Sequence, residues 1–342
     1  MKKQLLLMSV AALAMASCSK DDSTGINNQG SAIDFRVAMG TRATETTTGT
    51  LQKIFVTAID KNNTNYFTNA VFSKNGQYFT SAQPYYWPSD GSNLSFFAYS
   101  PSATDLHANV TINSTTKTLT DFQPATKIAD QQDFVTANAT GNKTNESTGV
   151  ELAFAHRLAQ IEIKAKNANP NYVYKVTGVR IGQPVSKGTF DFGNSTWALG
   201  TDKVKYEDVY QSERVLADKA QSLMTTEHDN AMLLPQQLVA WTPDTDKTNA
   251  NKGAYLSVKV NIATKDGAQI YPTGQNQGWV AVAIATNWEA GKKYVYTLDF
   301  SNGAGNVDPD EPENPGENVM GKPIKFDVTV KNWEDADVNV EM

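Results

Sequence analysis

Leu256-Ser257-Val258-Lys259-Val260-Asn261-Ile262 alternates apolar and polar residues without a break. Successive side chains of a β-strand point to opposite faces, so this cadence describes a strand with one buried and one wet face. The pattern recurs in Ala159-Gln160-Ile161-Glu162-Ile163-Lys164-Ala165 and in Lys293-Tyr294-Val295-Tyr296-Thr297-Leu298-Asp299-Phe300. Val280 to Ala285 is apolar throughout and reads as a strand buried on both sides. Further strands are expected over 51–60, 94–99, 110–113, 133–137 and 173–181. Between them lie clusters such as Lys61-Asn62-Asn63-Thr64-Asn65 and Pro88-Ser89-Asp90-Gly91, whose residues tolerate the backbone angles of tight turns. Many short strands with frequent turns predict an all-β chain of antiparallel sandwiches. A weak helical stripe is expected only over 206–223.

The length and the leader divide the chain. Lys2 and Lys3 precede a short apolar stretch, Leu5 to Ala16, which reads as a secretory signal too short to anchor in a bilayer. Leu13-Ala14-Met15-Ala16-Ser17-Cys18 looks like a lipoprotein signal box, in which Cys18 is acylated and becomes the new N-terminus. Ser19-Lys20-Asp21-Asp22 is similar to a short acidic signal for surface export. Cys18 is the one cysteine of 342 residues, so the mature chain is expected to hold no disulfide, no cysteine zinc site and no thiol nucleophile. The net charge of −6 gives no basic footprint for nucleic acid.

The reading is then a signal peptide at 1–18, a pro-segment at 19–42 and two sandwich domains at 43–150 and 151–302. The polar passage 138–148 is expected to separate the domains. Residues 303–321, with Asp308-Pro309-Asp310-Glu311-Pro312-Glu313-Asn314-Pro315-Gly316-Glu317, read as an extended, solvated spacer. Their carboxylates suit calcium poorly, because prolines deny the compact loop it needs. Residues 322–342 form a C-terminal strand region.

The two ends of the chain resemble each other. Ile33, Phe35, Val37 and Met39 alternate with polar or small residues, as do Ile324, Phe326, Val328 and Val330. The first three apolar residues agree in type and order, and register follows the apolar pattern, so one groove should accept either strand. Between the first strand and the body lies Thr41-Arg42-Ala43-Thr44, a site that a trypsin-like protease could read. Cleavage between Arg42 and Ala43 would remove lipid and first strand together and leave unpaired edges for a neighbour's C-terminal strand. Four buried apolar side chains contribute about 6–12 kcal/mol. Ordering seven residues costs about 7–14 kcal/mol. One such strand roughly breaks even, so further tail residues, Ala336, Val338, Val340 and Met342, are expected to join.

On these features the chain resembles the fimbrillin-like (Mfa-like) family of Bacteroidetes, the subunits of type V pili. Besides the box at Cys18 and Ile33-Asp34-Phe35 before Thr41-Arg42-Ala43, the matching pieces are Tyr86-Trp87-Pro88, Phe96-Phe97-Ala98-Tyr99-Ser100-Pro101, Leu152-Ala153-Phe154-Ala155-His156-Arg157-Leu158, Leu233-Leu234-Pro235-Gln236 and Trp288-Glu289-Ala290-Gly291-Lys292-Lys293-Tyr294. The resemblance implies two transthyretin-like β-sandwich domains in tandem, export as a lipoprotein to the outer membrane and cell surface, cleavage after Arg42 by a trypsin-like protease, and donor-strand exchange. It implies residues 33–39 as the removed strand, 324–342 as the donor region, and other pilus subunits as partners. Having both Arg42 and a C-terminal strand favours a stalk role. The alternative is a tip adhesin or surface lipoprotein that binds host glycan or protein without polymerising.

No enzyme is expected. His107, His156 and His228 have no paired metal-ligand spacing, and there is no G-x-S-x-G elbow and no phosphate-binding glycine loop. Carboxylates of a glycosidase need only meet in space, and no pair stands out. No metal or cofactor is expected. His156, in an apolar stretch, reads as a packed, hydrogen-bonded histidine. Tyr85, Tyr86 and Trp87 could stack on a sugar, but the following Pro88 and turn favour a core role. Trp333 is expected as an anchor in a neighbouring subunit.

Overall fold

The computed structural model describes residues 32–38, 49–224, 230–243 and 253–333. In chain order the strands are β1 (Phe35–Ala38), β2 (Lys53–Ile59), β3 (Asn65–Asn75), β4 (Tyr78–Ser81), β5 (Leu94–Ser100), β6 (Asn109–Ile112), β7 (Lys117–Phe122), β8 (Val135–Gly141), β9 (Val150–Ala153) and β10 (Ala155–His156). They continue as β11 (Ala159–Lys166), β12 (Tyr172–Val185), β13 (Gly188–Asp191), β14 (Thr196–Leu199), β15 (Lys203–Val215), β16 (Gln221–Ser222), β17 (Ala231–Leu233) and β18 (Gln236–Gln237). The last are β19 (Tyr255–Thr264), β20 (Gln269–Tyr271), β21 (Gly278–Ala283), β22 (Asn287–Trp288), β23 (Lys292–Asp299), β24 (Asn306–Val307) and β25 (Lys325–Asn332). Two single 3₁₀ turns complete the described residues, which contain no α-helix. The all-β expectation holds.

Turn chemistry acts where the sequence places it. The Asp60 carboxylate accepts from the backbone N–H of Asn62 at 2.9 Å and of Thr64 at 2.8 Å, and Asn63 takes a φ of 58°. That closes the β2–β3 turn at low cost, because Asn tolerates the left-handed region.

The N-terminal half forms one eight-stranded sheet in the order β10-β8-β5-β2-β3-β4-β1-β9. Its inner face carries Ile33, Phe35, Ile54, Val56, Phe72, Phe79, Phe96 and Leu152. Adjacent strands lie about 4.8 Å apart, so β1 and β5 would stand about 19 Å apart in a flat sheet. Their rings Phe35 and Phe96 nevertheless meet at 5.1 Å. The sheet therefore rolls over on its own core.

The C-terminal half is a sandwich of a five-stranded sheet, β16-β11-β23-β25 with β17 attached, and a six-stranded sheet, β15-β12-β19-β21-β24 with β20 attached. Ile161, Ile163, Tyr296 and Leu298 of the first meet Val176, Ile181, Leu256 and Val258 of the second. The alternation that opens the sequence reading is thus the inward face of β19.

Several expectations need correction. The 206–223 stripe is not helical: Tyr206 and Asp208 point inward on β15 while Val209 and Val215 are exposed, a period of two. Residues 138–141 belong to β8, and β9 and β10 remain in the N-terminal sheet beyond residue 150. The β13–β14 hairpin reaches back to pair with β7, giving a third sheet, β14-β13-β7-β6. A cluster of Tyr99, Phe134, Leu158, Phe190, Phe192 and Leu234 fills the space beneath it. The halves share this core, so no polar linker divides them.

The spacer is not solvated either. β24 pairs with β21, and Ala304, Val307 and Val319 enter the C-terminal core. Asp308 is 0% exposed. Its Oδ2 lies 2.8 Å from Arg180 Nη1, whose Nε lies 2.7 Å from Glu207 Oε1. The guanidinium centre sits 4.0 Å from the Trp279 ring centroid. Tyr255 donates to Asp310 at 2.8 Å, and Lys205 lies 3.5 Å from the same carboxylate. Composition predicts solvation, but a buried guanidinium needs carboxylates, and this segment supplies Asp308 beside Glu207 of β15.

Candidate functional site

β1 lies between two strands. It pairs in parallel with β9 in the register Phe35↔Val150, Arg36↔Glu151, Val37↔Leu152 and Ala38↔Ala153. It meets β4 antiparallel at Phe35↔Phe79. Its ends are held by the backbone: Ile33 N–H donates to Tyr85 O at 2.7 Å, Val150 N–H to Asp34 O at 2.9 Å, and Phe154 N–H to Ala38 O at 2.9 Å. Gly149, with φ +69°, brings the chain so close to β1 that an added Cβ would stand 3.2 Å from Asp34 O. A side chain there would be strained and crowded at once. β9 pairs in this sheet with β1 alone.

Two side chains seat the strand. Ile33 and Phe35 are 0% exposed, and Val37 packs half-buried against the same core. Arg36 and Glu151 pair at 3.6 Å on the wet face, with too much exposure to add much. Burial pushes the Asp34 carboxyl up. Of the residues expected to form a removable strand, Ile33, Phe35 and Val37 are brought together in one slot. Met39, Arg42, Ala43 and Cys18 lie outside the described residues.

The other end of the chain is placed differently from its expectation. β25 is the outermost strand of the C-terminal sheet and pairs with β23 from Lys325↔Asp299 to Asn332↔Lys292. Ile324 is buried in its own domain's core, Phe326 and Val328 are half-buried there, and Val330 is 53% exposed. The four residues do not form one uniformly inward face, because an edge strand covers its sheet only partly. Trp333 is not an exposed anchor for a neighbour. It is 3% exposed and stacks on His156, ring centroids 4.3 Å apart with 9° between planes. His156 Nδ1 lies 2.8 Å from Asp133 Oδ2. This packed, hydrogen-bonded histidine agrees with the sequence reading, but nothing in the sequence links residues 133, 156 and 333. Trp87 lies in the N-terminal core, edge-on to Phe96 at 6.0 Å. The Tyr85–Trp87 cluster offers no indole platform to a sugar.

The family model for fimbrillin-like proteins matches residues 41–333. The chain belongs to the fimbrillin-like family. Fimbrium subunit Fim1C of Phocaeicola vulgatus is 26% identical, over 89% of this chain and 94% of that one. The crystal structure of a fimbrial protein from Bacteroides vulgatus shares the fold, with a TM-score of 0.59 at 19% identity, covering 88% of this chain and 99% of that one. The fimbrillin-like chain is thus a fimbrial protein of the Bacteroidetes cell surface, and its partners are other pilus subunits.

Proposed function

We propose that this fimbrillin-like chain is a polymer-forming pilus subunit that exchanges strands with its neighbours. It is exported as a lipoprotein through Cys18, cut between Arg42 and Ala43 by a trypsin-like protease, and freed of residues up to 42. The observation that carries this reading is the seat of β1 between β4 and β9. When an edge strand leaves a sheet, one new edge appears. When β1 leaves, two facing edges and the places of Ile33 and Phe35 open together, which is a template for an incoming strand. The donor is drawn from within the C-terminal region, residues 324–342, of the next subunit.

The test uses the full precursor and a trypsin-like protease. The expected result is a new N-terminus at Ala43 followed by a ladder of oligomers, with Arg42→Ala remaining monomeric. A chain cut at Ala43 that stays monomeric at high concentration overturns the exchange reading.

A further inference from the structure

Trp333 is where the last strand of the C-terminal sheet meets the N-terminal half. Its backbone N–H donates to Gly291 O at 3.0 Å, and Gly291 N–H donates to Leu158 O at 2.9 Å. Its ring lies flat on His156, which is only 7% exposed. The backbone of His156 pairs with Val135 of β8, and its imidazole reaches Asp133 just before β8. The indole belongs to the same buried cluster as Phe134, Leu158, Met232 and Leu234. The side chains of Lys292 and Asn332, the final pair of the β23–β25 ladder, are also hydrogen-bonded. Upstream, Ile324 is 4% exposed within the C-terminal core. β25 is therefore pinned at both ends, although its middle is an edge strand with a half-wet face.

We infer that Trp333, held by His156 and Asp133, is a positioning residue for assembly: it fixes the root of the C-terminal end on the N-terminal half, so that the donated segment begins after residue 333. This rests on the strand-exchange reading. An edge strand with little burial would otherwise peel from β23 when its C-terminal end is drawn into a neighbour. With the indole seated, β25 stays in its own sheet, and a donated strand would start from a fixed point and gain about 3.3 Å per residue. Ala336, Val338, Val340 and Met342 carry the alternation that the slot selects. A flexible root would let the same residues sample many directions, and effective concentration at the neighbour's slot would fall.

The test separates giving a strand from receiving one. A full chain with Arg42→Ala keeps its slot filled and can only donate. A full chain carrying Val338→Asp and Val340→Asp, cut at Arg42, can only accept. Labelled differently and mixed, the two give a heterodimer. Trp333→Ala in the donor is expected to lower heterodimer yield at least ten-fold, whereas the same change in the acceptor leaves yield unchanged. Trp333→Phe in the donor, which can still stack on His156, restores most of it. Should Trp333→Ala fold poorly, His156→Gln removes the stack while keeping a hydrogen-bonding group beside Asp133. A donor defect absent from both variants overturns the inference, and so does an equal loss in both roles, which marks a merely structural residue. Self-polymerisation of the acceptor places the donated segment before residue 333 and also overturns it. A wild-type pair that never forms a heterodimer overturns the exchange reading itself, and the inference with it.

Discussion

Phe35 stands edge-on to Phe72, with ring centroids 4.8 Å apart and planes at 82°. The two residues lie on β1 and β3, with β4 between them. A ring that reaches across an intervening strand is a core element, and edge-to-face pairs add to simple burial. Phe35→Ala should therefore lower the stability of the uncut precursor by about 3–5 kcal/mol, read as a shift of the denaturant midpoint. After cleavage and loss of residues up to 42, wild type and variant become the same molecule. Their unfolding curves should then coincide.

The Arg180–Asp308 pair gives a second expectation. Removing one partner leaves a buried charge uncompensated, so Arg180→Ala or Asp308→Ala should cost about 3–5 kcal/mol in a denaturant titration. Replacing both at once, with Arg180→Met and Asp308→Leu, should cost clearly less than the sum. Additive losses would mean that the two groups act independently.

Glu311 sets a pH dependence. Burial first, and the neighbouring Asp308 second, push its carboxyl up, while Arg180, Lys259 and Lys205 oppose them. The folded chain thus holds this proton to a higher pH than the unfolded chain does. Stability associated with the group is intact below the unfolded value, about 4.3, and is lost as pH rises through the folded one. Glu311→Gln should raise the thermal midpoint at pH 7 and leave it unchanged near pH 3.5.

Trp87 separates a core residue from a sugar platform. Its indole is buried in the N-terminal core, and its Nε1 meets no partner among the described residues. Trp87→Ala should destabilise the fold by about 3–5 kcal/mol. Trp87→Phe should cost less, since the unsatisfied N–H goes with the substitution. On a glycan array, Trp87→Phe should bind as wild type does. A selective loss of one glycan would restore the adhesin role.

Local pattern made most of the strands legible, because an alternating run such as Leu256 to Ile262 states both its conformation and its buried face. What pairs with what was less legible. The β13–β14 hairpin joins β7 across more than sixty residues of chain, and no periodicity in Gly188–Asp191 points to Thr118 or Phe122. The run over 308–317 misled for another reason. Its acidity predicts water, but Arg180, distant in sequence, gives Asp308 a buried partner. The β1 slot was legible in part: Ile33 and Phe35 announced a buried strand, yet the parallel partner at Val150–Ala153 did not announce itself. Trp333 in sequence suits a neighbour's core as well as its own, because an aromatic near a terminus carries no mark of which core receives it.

The sheet formed by β6, β7, β13 and β14 has a mechanical consequence. Its strands come from both halves of the molecule, and the Phe134, Phe190 and Phe192 rings beneath them interlock edge to face. A hinge between the halves would have to break that ladder and open an aromatic core, so the molecule resists bending at its waist. In a filament built from such subunits, compliance must reside at the joints where one subunit grips the next.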